Sequence, residues 1–277
     1  MKKILFCIIL LIFCSALFGA DFTFIQTGGE HFSAYPQSEE TIKSIKHRED
    51  YIFRDMLFPK PSFVIETGNI TELGDTENFG DLWEKTYKYL GLPHYYIFGN
   101  RDLTWNPMTA RKENINSSFD FGGVHFILLN SCGLLDSRPC FAEETLTFLR
   151  DDLMQTNSAT PLILVFHHSW GGDEWSDPLD WERIKDMTQS YNLIACLTGH
   201  GEKPECVRYE GVPLICGGSA YGKERGYMVH SITDGVFRSL YMNKETGSLT
   251  LFYEKDLKTK NKKPEIVFLS PKQGEET

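Results

Sequence analysis

A basic patch, a CxxC pair, an internal repeat and a long low-complexity segment are all missing from the body of this chain of 277 residues. Each absence removes a class of function. Lys and Arg total 28 against 38 Asp and Glu, a formal charge of −10, and a surface of that sign does not attract nucleic acid or anionic membranes unless basic residues cluster locally. They cluster only in the tail, from Lys255 to Lys263. No nucleic-acid partner is therefore expected. Without CxxC or zinc-ribbon spacing the cysteines indicate no structural zinc.

What is present begins with a leader. Met1-Lys2-Lys3 precedes an apolar run from Ile4 to about Leu17, then Phe18-Gly19-Ala20. The charged start, apolar middle and small residue before a cut after Ala20 describe a secretory signal peptide, too short and wrongly flanked for a comfortable membrane span. Phe18 is bulky for its place before the cut, which leaves an uncleaved anchor as the alternative; Phe13 before Cys14 argues against lipidation. The expected location is periplasmic or extracellular, with no membrane contact once the leader is cut. Cys132, Cys140, Cys196, Cys206 and Cys216 remain, an odd number. Cys132 with Cys140 and Cys206 with Cys216 can pair in an export compartment. Cys196, in an apolar strand, reads as a buried thiol.

Strand-like runs alternate with amphipathic ones. Phe22 to Gln26, Ser62 to Glu66, His94 to Phe98, Val124 to Asn130, Pro161 to Phe166 and Leu193 to Leu197 have the length and β-branched or aromatic content of buried strands. Glu39 to Leu57, Phe79 to Leu90, Glu143 to Gln155 and Asp180 to Tyr191 read as helices. From Cys206 the helices stop, and short strands with turns at Glu210-Gly211, Asp234-Gly235 and Thr246-Gly247 suggest a second sheet. Together these predict an α/β fold in which two mixed sheets pack face to face with helices outside, a four-layer α/β/β/α sandwich. Residues 1–20 are the leader, 21–254 the domain and 255–277 a Lys-rich linker. The linker is followed by an apolar strand, either the start of a further module, through which another domain or protein can be joined, or a loose edge.

Five polar clusters follow five of these strands: Gly29-Glu30-His31, Gly68-Asn69, Gly99-Asn100-Arg101-Asp102, His167-His168 and Gly199-His200-Gly201-Glu202. Clusters at strand carboxyl ends can converge on one site. In this order they resemble the calcineurin-like metallophosphoesterases, whose pattern is D-x-H, G-D, G-N-H-[DE], a lone H and G-H-x-H, and the resemblance runs over about residues 22 to 245. Ser117 to Ser131 resembles the paired strands that follow the family's third motif. Gly226-Tyr227 resembles its late G-Y.

The resemblance implies two metals and seven protein ligands, of which four are kept: His31, Asn100, His167 and His200. Three are changed. Gly29 replaces an aspartate and offers no side chain. Asn69 replaces the bridging aspartate, and a neutral amide supplies no charge to share between two cations. Glu202 replaces a histidine but can still ligate. Arg101 stands where the family has its proton-donating histidine, and a guanidinium does not give up a proton at working pH. It can clamp a phosphate or carboxylate instead.

The first metal position would thus have His31, Asn69 and Glu202, and the second Asn69, Asn100, His167 and His200. The expectation is one weakly held zinc, manganese or iron ion, or none. Arg101 and Asp102 are the candidate reaction pair, with Asp102 orienting Arg101 or a local amide. His168 is expected to be a supporting residue, and Trp170, Trp175 and Trp181 to build a lid or core wall. Glu30 and Asp75 are the nearest reserve ligands. Asn69-Ile70-Thr71 and Asn116-Ser117-Ser118 match glycosylation sequons. Each of His31, His167 and His200 alone reads more readily as a hydrogen-bonded structural residue; together at the family's positions they favour a shared site. The resemblance implies either a degenerate binding module for a phosphoester or other anionic small molecule, or a hydrolase with a rearranged, mononuclear site.

Overall fold

The computed structural model describes residues 19–31, 59–74, 91–104, 115–133, 138–170, 175, 177, 179–220 and 225–258. The leader before residue 19, the helices expected at 39–57 and 79–90, Asp75 and the tail beyond 258 lie outside the described residues. Two six-stranded mixed sheets form the frame. The first has the order β12-β11-β10-β1-β2-β3, from Leu249–Asp256, Val236–Asn243, Gly226–Thr233, Phe22–Thr27, Val64–Glu66 and His94–Tyr96. The second has the order β4-β5-β6-β7-β9-β8, from Ser117–Phe121, Val124–Leu128, Pro161–Val165, Asn192–Thr198, Val212–Gly217 and Pro204–Tyr209.

The late strands do not form a sheet of their own, contrary to expectation. β8 and β9 extend the second sheet, while β10 to β12 extend the first. β9 pairs in parallel with β7, and β10 pairs antiparallel with β1. Each sheet thus has a parallel segment, β1-β2-β3 at one edge of the first and β5-β6-β7-β9 in the middle of the second, whose carboxyl ends face one rim.

Alternation decides the core. Phe24, Phe63 and Ile65 from the first sheet meet Phe126, Leu128, Ile163, Val165 and Ile215 from the second, all essentially unexposed. The Phe24 and Phe63 rings stack at 4.9 Å, with Phe126 edge-on to both at 5.4 Å. On the outer face of the second sheet, Leu146, Leu149 and Leu153 of α2 (Glu143–Gln155) and Trp181 and Ile184 of α3 (Asp180–Thr188) cover Leu162, Leu164 and Phe166. Trp170, Trp175 and Trp181 join this layer, with Trp170 stacked on Trp181 at 5.7 Å, so they form a core wall. One polar stitch crosses between the sheets. Gln26 Nε2 donates to the carbonyls of Thr198 and Ile215 at 2.8 and 3.2 Å, and its Oε1 accepts from His230.

Several other expectations are corrected. All five described cysteines are free thiols. Cys206 lies opposite Ile215, one residue out of step with Cys216, so the two side chains point to opposite faces of the sheet. Cys132 likewise bridges Pro139 rather than Cys140. The linker does not begin at Lys255: β12 runs to Asp256, Lys255 is buried, and Leu257 packs in the core with its N–H donating to Gly235 at 2.9 Å. Both sequon asparagines, Asn69 and Asn116, are buried and closed to modification. No described helix is long and apolar enough to cross a membrane.

Candidate metal centre

The loops after β1, β2, β3, β6 and β7 meet at one rim and are knitted together by backbone bonds. Gly29 N–H donates to Gly68 O and His31 N–H to Asn69 O, both at 2.9 Å, and Gly199 N–H donates to His167 O at 2.8 Å. A Cβ on Gly68 would lie 2.6 Å from the Gly99 nitrogen and 2.8 Å from His167 Nδ1, and its φ is +92°, so glycine is required there. His31, Asn69, His200 and Glu202 all hold left-handed φ values, 49°, 57°, 58° and 52°. Left-handed backbone in non-glycine residues costs about 1–3 kcal/mol each and concentrates at functional sites. Four of the eight candidate residues carry that strain.

Asp102, at the start of a short α1 (Asn100–Thr104), holds the rim together. Its fully buried carboxylate accepts from Thr71 N–H and Thr71 Oγ1 at 2.8 and 2.9 Å, and from Gly99 N–H and Ile70 N–H at 2.8 and 3.3 Å. Four donors fill the carboxylate's acceptor sites. Burial pushes its pKa up, and these donors oppose the rise. A carboxylate so enclosed cannot reach a substrate, so Asp102 is a positioning residue rather than a member of a reaction pair.

In the first half of the cleft, ion pairs take the place expected for a cation. His31 Nδ1 lies 2.6 Å from Glu72 Oε2 and Nε2 lies 3.3 Å from Glu202 Oε1, while Arg101 NH1 lies 3.1 Å from Glu72 Oε1. Burial alone would lower the His31 pKa, but the hydrogen bonds and charges of Glu202 and Glu72 outweigh it and raise the value to about 9. The His31 contact in turn lowers both carboxylate pKa values. Asn69 Oδ1 accepts the Arg101 N–H at 3.0 Å, closing its loop. At Gly29, φ is +64° and a Cβ would lie 2.7 Å from Ser219 Oγ, which itself donates to Gly29 O at 2.9 Å. Space for the absent aspartate has closed. Paired side chains fill this half: the imidazole, the guanidinium and the two carboxylates satisfy one another.

The second half is different. His167 Nδ1 donates to the Thr67 carbonyl at 2.7 Å, which leaves Nε2 as a bare lone pair 3.3 Å from Asn100 Oδ1. Two acceptors facing each other suit a shared cation. Burial first, then the neighbouring His168 and His200, pushes the His167 pKa well down; burial and His200 hold that of His168 at about 3. One ring nitrogen from each of His167, His168 and His200 lies within 4.8 Å of the others. His167 and His168, with burial disfavouring their charged forms and Nδ1 held by Thr67 and Ser131, leave Nε2 for a ligand, so this half fits a cation. Glu30, the reserve ligand, is buried with Oε1 accepting from Thr27 Oγ1 at 3.0 Å.

The sequence profile of the calcineurin-like phosphoesterases matches residues 31–201. The chain belongs to that family. It is 28% identical over 158 residues to a probable glycerophosphodiester phosphodiesterase GpdQ of Arcobacter nitrofigilis, a match covering 52% of this chain and 58% of that protein. The chain thus spans little more than half the length of that curated relative. Two solved structures share the fold at a TM-score of 0.61. One is GAP50, the anchor in the inner membrane complex of Plasmodium, at 16% identity over 88% of this chain and 90% of that one. The other is the purple acid phosphatase PPD1 of yellow lupin (Lupinus luteus) seeds, at 14% identity over 84% of this chain and 53% of that one.

Family membership supports divalent-metal chemistry as the ancestral setting, and the rim keeps the family's loops. Sequence reasoning missed Glu72, which pairs with both His31 and Arg101. The signal was a lone glutamate three residues past Asn69, on the same loop as the lost bridging carboxylate.

Proposed function

We propose that this is an exported calcineurin-like phosphoesterase-fold protein with a degenerate dinuclear site, one that binds an anionic small molecule or partner and hydrolyses phosphoesters weakly or not at all. The observation that carries this reading is the His31–Glu72–Arg101–Glu202 network, in which protein charges stand where the first cation and its aspartates would be. Arg101 occupies the proton donor's position and keeps its proton, a loss worth about 10²–10⁴ in rate on its own. Its side chain is 45% exposed at the rim, so a phosphate or carboxylate can exchange with Glu72 for the guanidinium. A divalent ion in the second half would supply positive charge to polarise an anionic oxygen. His167, His200 and Asn100 would hold it, with Thr67 fixing the His167 tautomer.

The competing reading is an active phosphoesterase with a mononuclear site, favoured by the metal-ready second half and by the phosphodiesterase relative. Assays on aryl phosphate monoesters and diesters with added manganese, zinc or iron separate the two. The degenerate reading expects no metal-dependent turnover above background. Turnover that requires metal and vanishes in His167→Ala and His200→Ala would establish the enzyme.

A further inference from the structure

His168 and His230 are both buried histidines near strand ends, yet their hydrogen bonding differs. His230 is satisfied on both sides, Nδ1 by Ser239 Oγ at 2.8 Å and Nε2 by Gln26 Oε1 at 2.9 Å. His168, only 1% exposed, meets Ser131 Oγ through Nδ1 at 3.0 Å, while its Nε2 is buried with no hydrogen-bond partner. A buried polar atom left unpaired costs about 1–3 kcal/mol. A core histidine with no further role would be expected to resemble His230.

His168 belongs to a group of three histidine rings. Centroids of His168 and His200 are 4.7 Å apart, those of His167 and His168 4.7 Å, and those of His167 and His200 5.2 Å. One nitrogen of each ring lies within 4.8 Å of the other two. Tetrahedral zinc, with zinc–nitrogen bonds of about 2.0–2.1 Å, places its imidazole nitrogens about 3.3 Å apart. Small side-chain rotations close that difference. The other nitrogens are already held as ligand histidines require: His167 Nδ1 on the Thr67 carbonyl and His168 Nδ1 on Ser131, whose Oγ also accepts the His168 N–H at 3.1 Å.

We propose that His167, His168 and His200 form a mononuclear three-imidazole site for a borderline transition cation of the zinc and cobalt(II) class. His168 lies outside the family's motif and is recruited as the third donor. The proposal deepens the degenerate-site reading by putting His168 in place of Asn100 as the third ligand and by naming the cation class, and it rests on that reading for the claim of one ion. Neutral nitrogen donors favour zinc, cobalt and copper and discriminate against magnesium and calcium, which prefer oxygen. The ancestral carboxylate-rich pair of sites would thus have given way to a single nitrogen-rich one.

The test is a titration of the chelator-stripped full chain with cobalt(II) alone, read by the visible absorption of the ion and by elemental analysis. Four-coordinate cobalt absorbs strongly and six-coordinate cobalt weakly. The expected result is one cobalt per chain with a strong spectrum, displaced by zinc and not by excess magnesium. His168→Asn should weaken binding by at least about 100-fold, since even outer hydrogen-bond partners of ligands are worth 10–100-fold. His168→Asn can keep a hydrogen bond to Ser131, so it guards against a misfolded His168→Ala; thermal melts without metal check both, and His125→Ala is the control away from the rim. Parent-like affinity in His168→Asn, or no cobalt bound at all, overturns the proposal and leaves the degenerate reading standing. Two ions per chain, with one lost in His31→Ala, overturns the one-ion reading instead.

Discussion

The two halves of the cleft meet the same demand, neutralising charge at a shared rim, by opposite means. Around His31 the pairing is internal: an imidazole with its pKa raised to about 9, two carboxylates and a guanidinium satisfy one another. Around His167 burial dominates, and the pKa values of His167 and His168 are depressed. Both halves keep strained backbone, at His31 and Asn69 on one side and at His200 and Glu202 on the other. Both halves thus share one kind of loop geometry while their side-chain pairings differ. In the first half Glu72 pairs with His31 and Arg101, and Ser219 lies against Gly29.

The largest effect should come from breaking what both halves share. Asp102→Ala strands the donors of Ile70, Thr71 and Gly99 in a buried rim, and the expected loss is on the order of 3–5 kcal/mol in chemical denaturation. A change below about 1 kcal/mol would mean that the rim is held elsewhere.

Next comes the attempt to restore the family pattern. Gly29→Asp must place a side chain at φ +64° against Ser219 Oγ, so alone it should destabilise by about 1–3 kcal/mol. Adding Ser219→Gly should recover part of that loss in thermal melts. Combining the pair with Asn69→Asp and Arg101→His should restore metal binding in the first half far beyond any single change, because the groups act as a unit. Equal gains from each single reversion would contradict the view that the half was remodelled together.

The halves should also differ in pH dependence. The folded pKa of His31 is raised from 6.5 to about 9, so its contribution is full below pH 6.5 and is lost as pH rises through about 9. Glu202 is 49% exposed, so screening reduces this to on the order of 1–2 kcal/mol. His125, between Asp120 and Asp152, is raised in the same sense, so the comparison of interest is parent against His31→Gln. The difference between their stabilities should shrink from pH 6.5 to 9. His168 has the opposite sign: with its folded value near 3, stability falls as pH drops below 6.5, when the unfolded chain takes up the proton and the folded one does not. His168→Asn should flatten that acid limb.

The fold was legible because period and length carry it. Glu143 to Gln155 was read as a helix and is one with the same bounds, and ten of the strands were located to within a few residues. The partition of late strands was not legible, since local pattern does not say which sheet edge a hairpin joins. The site's positions were readable from motif order, and its pairings were not. Glu72 belongs to no motif, and the tautomers of His167 and His168 depend on Thr67 and Ser131, distant in sequence and brought close by the sheets. The unavailable disulfides show the same limit, since face and register, not spacing, decide them.

Metal stoichiometry tests the contrast most directly. The chain loaded with excess zinc or manganese, freed of unbound ion by gel filtration and measured by elemental analysis, should hold at most one ion, unaffected by His31→Ala and lost in His167→Ala. Two tightly held ions in the unmodified protein, one of them removed by His31→Ala, would contradict the account.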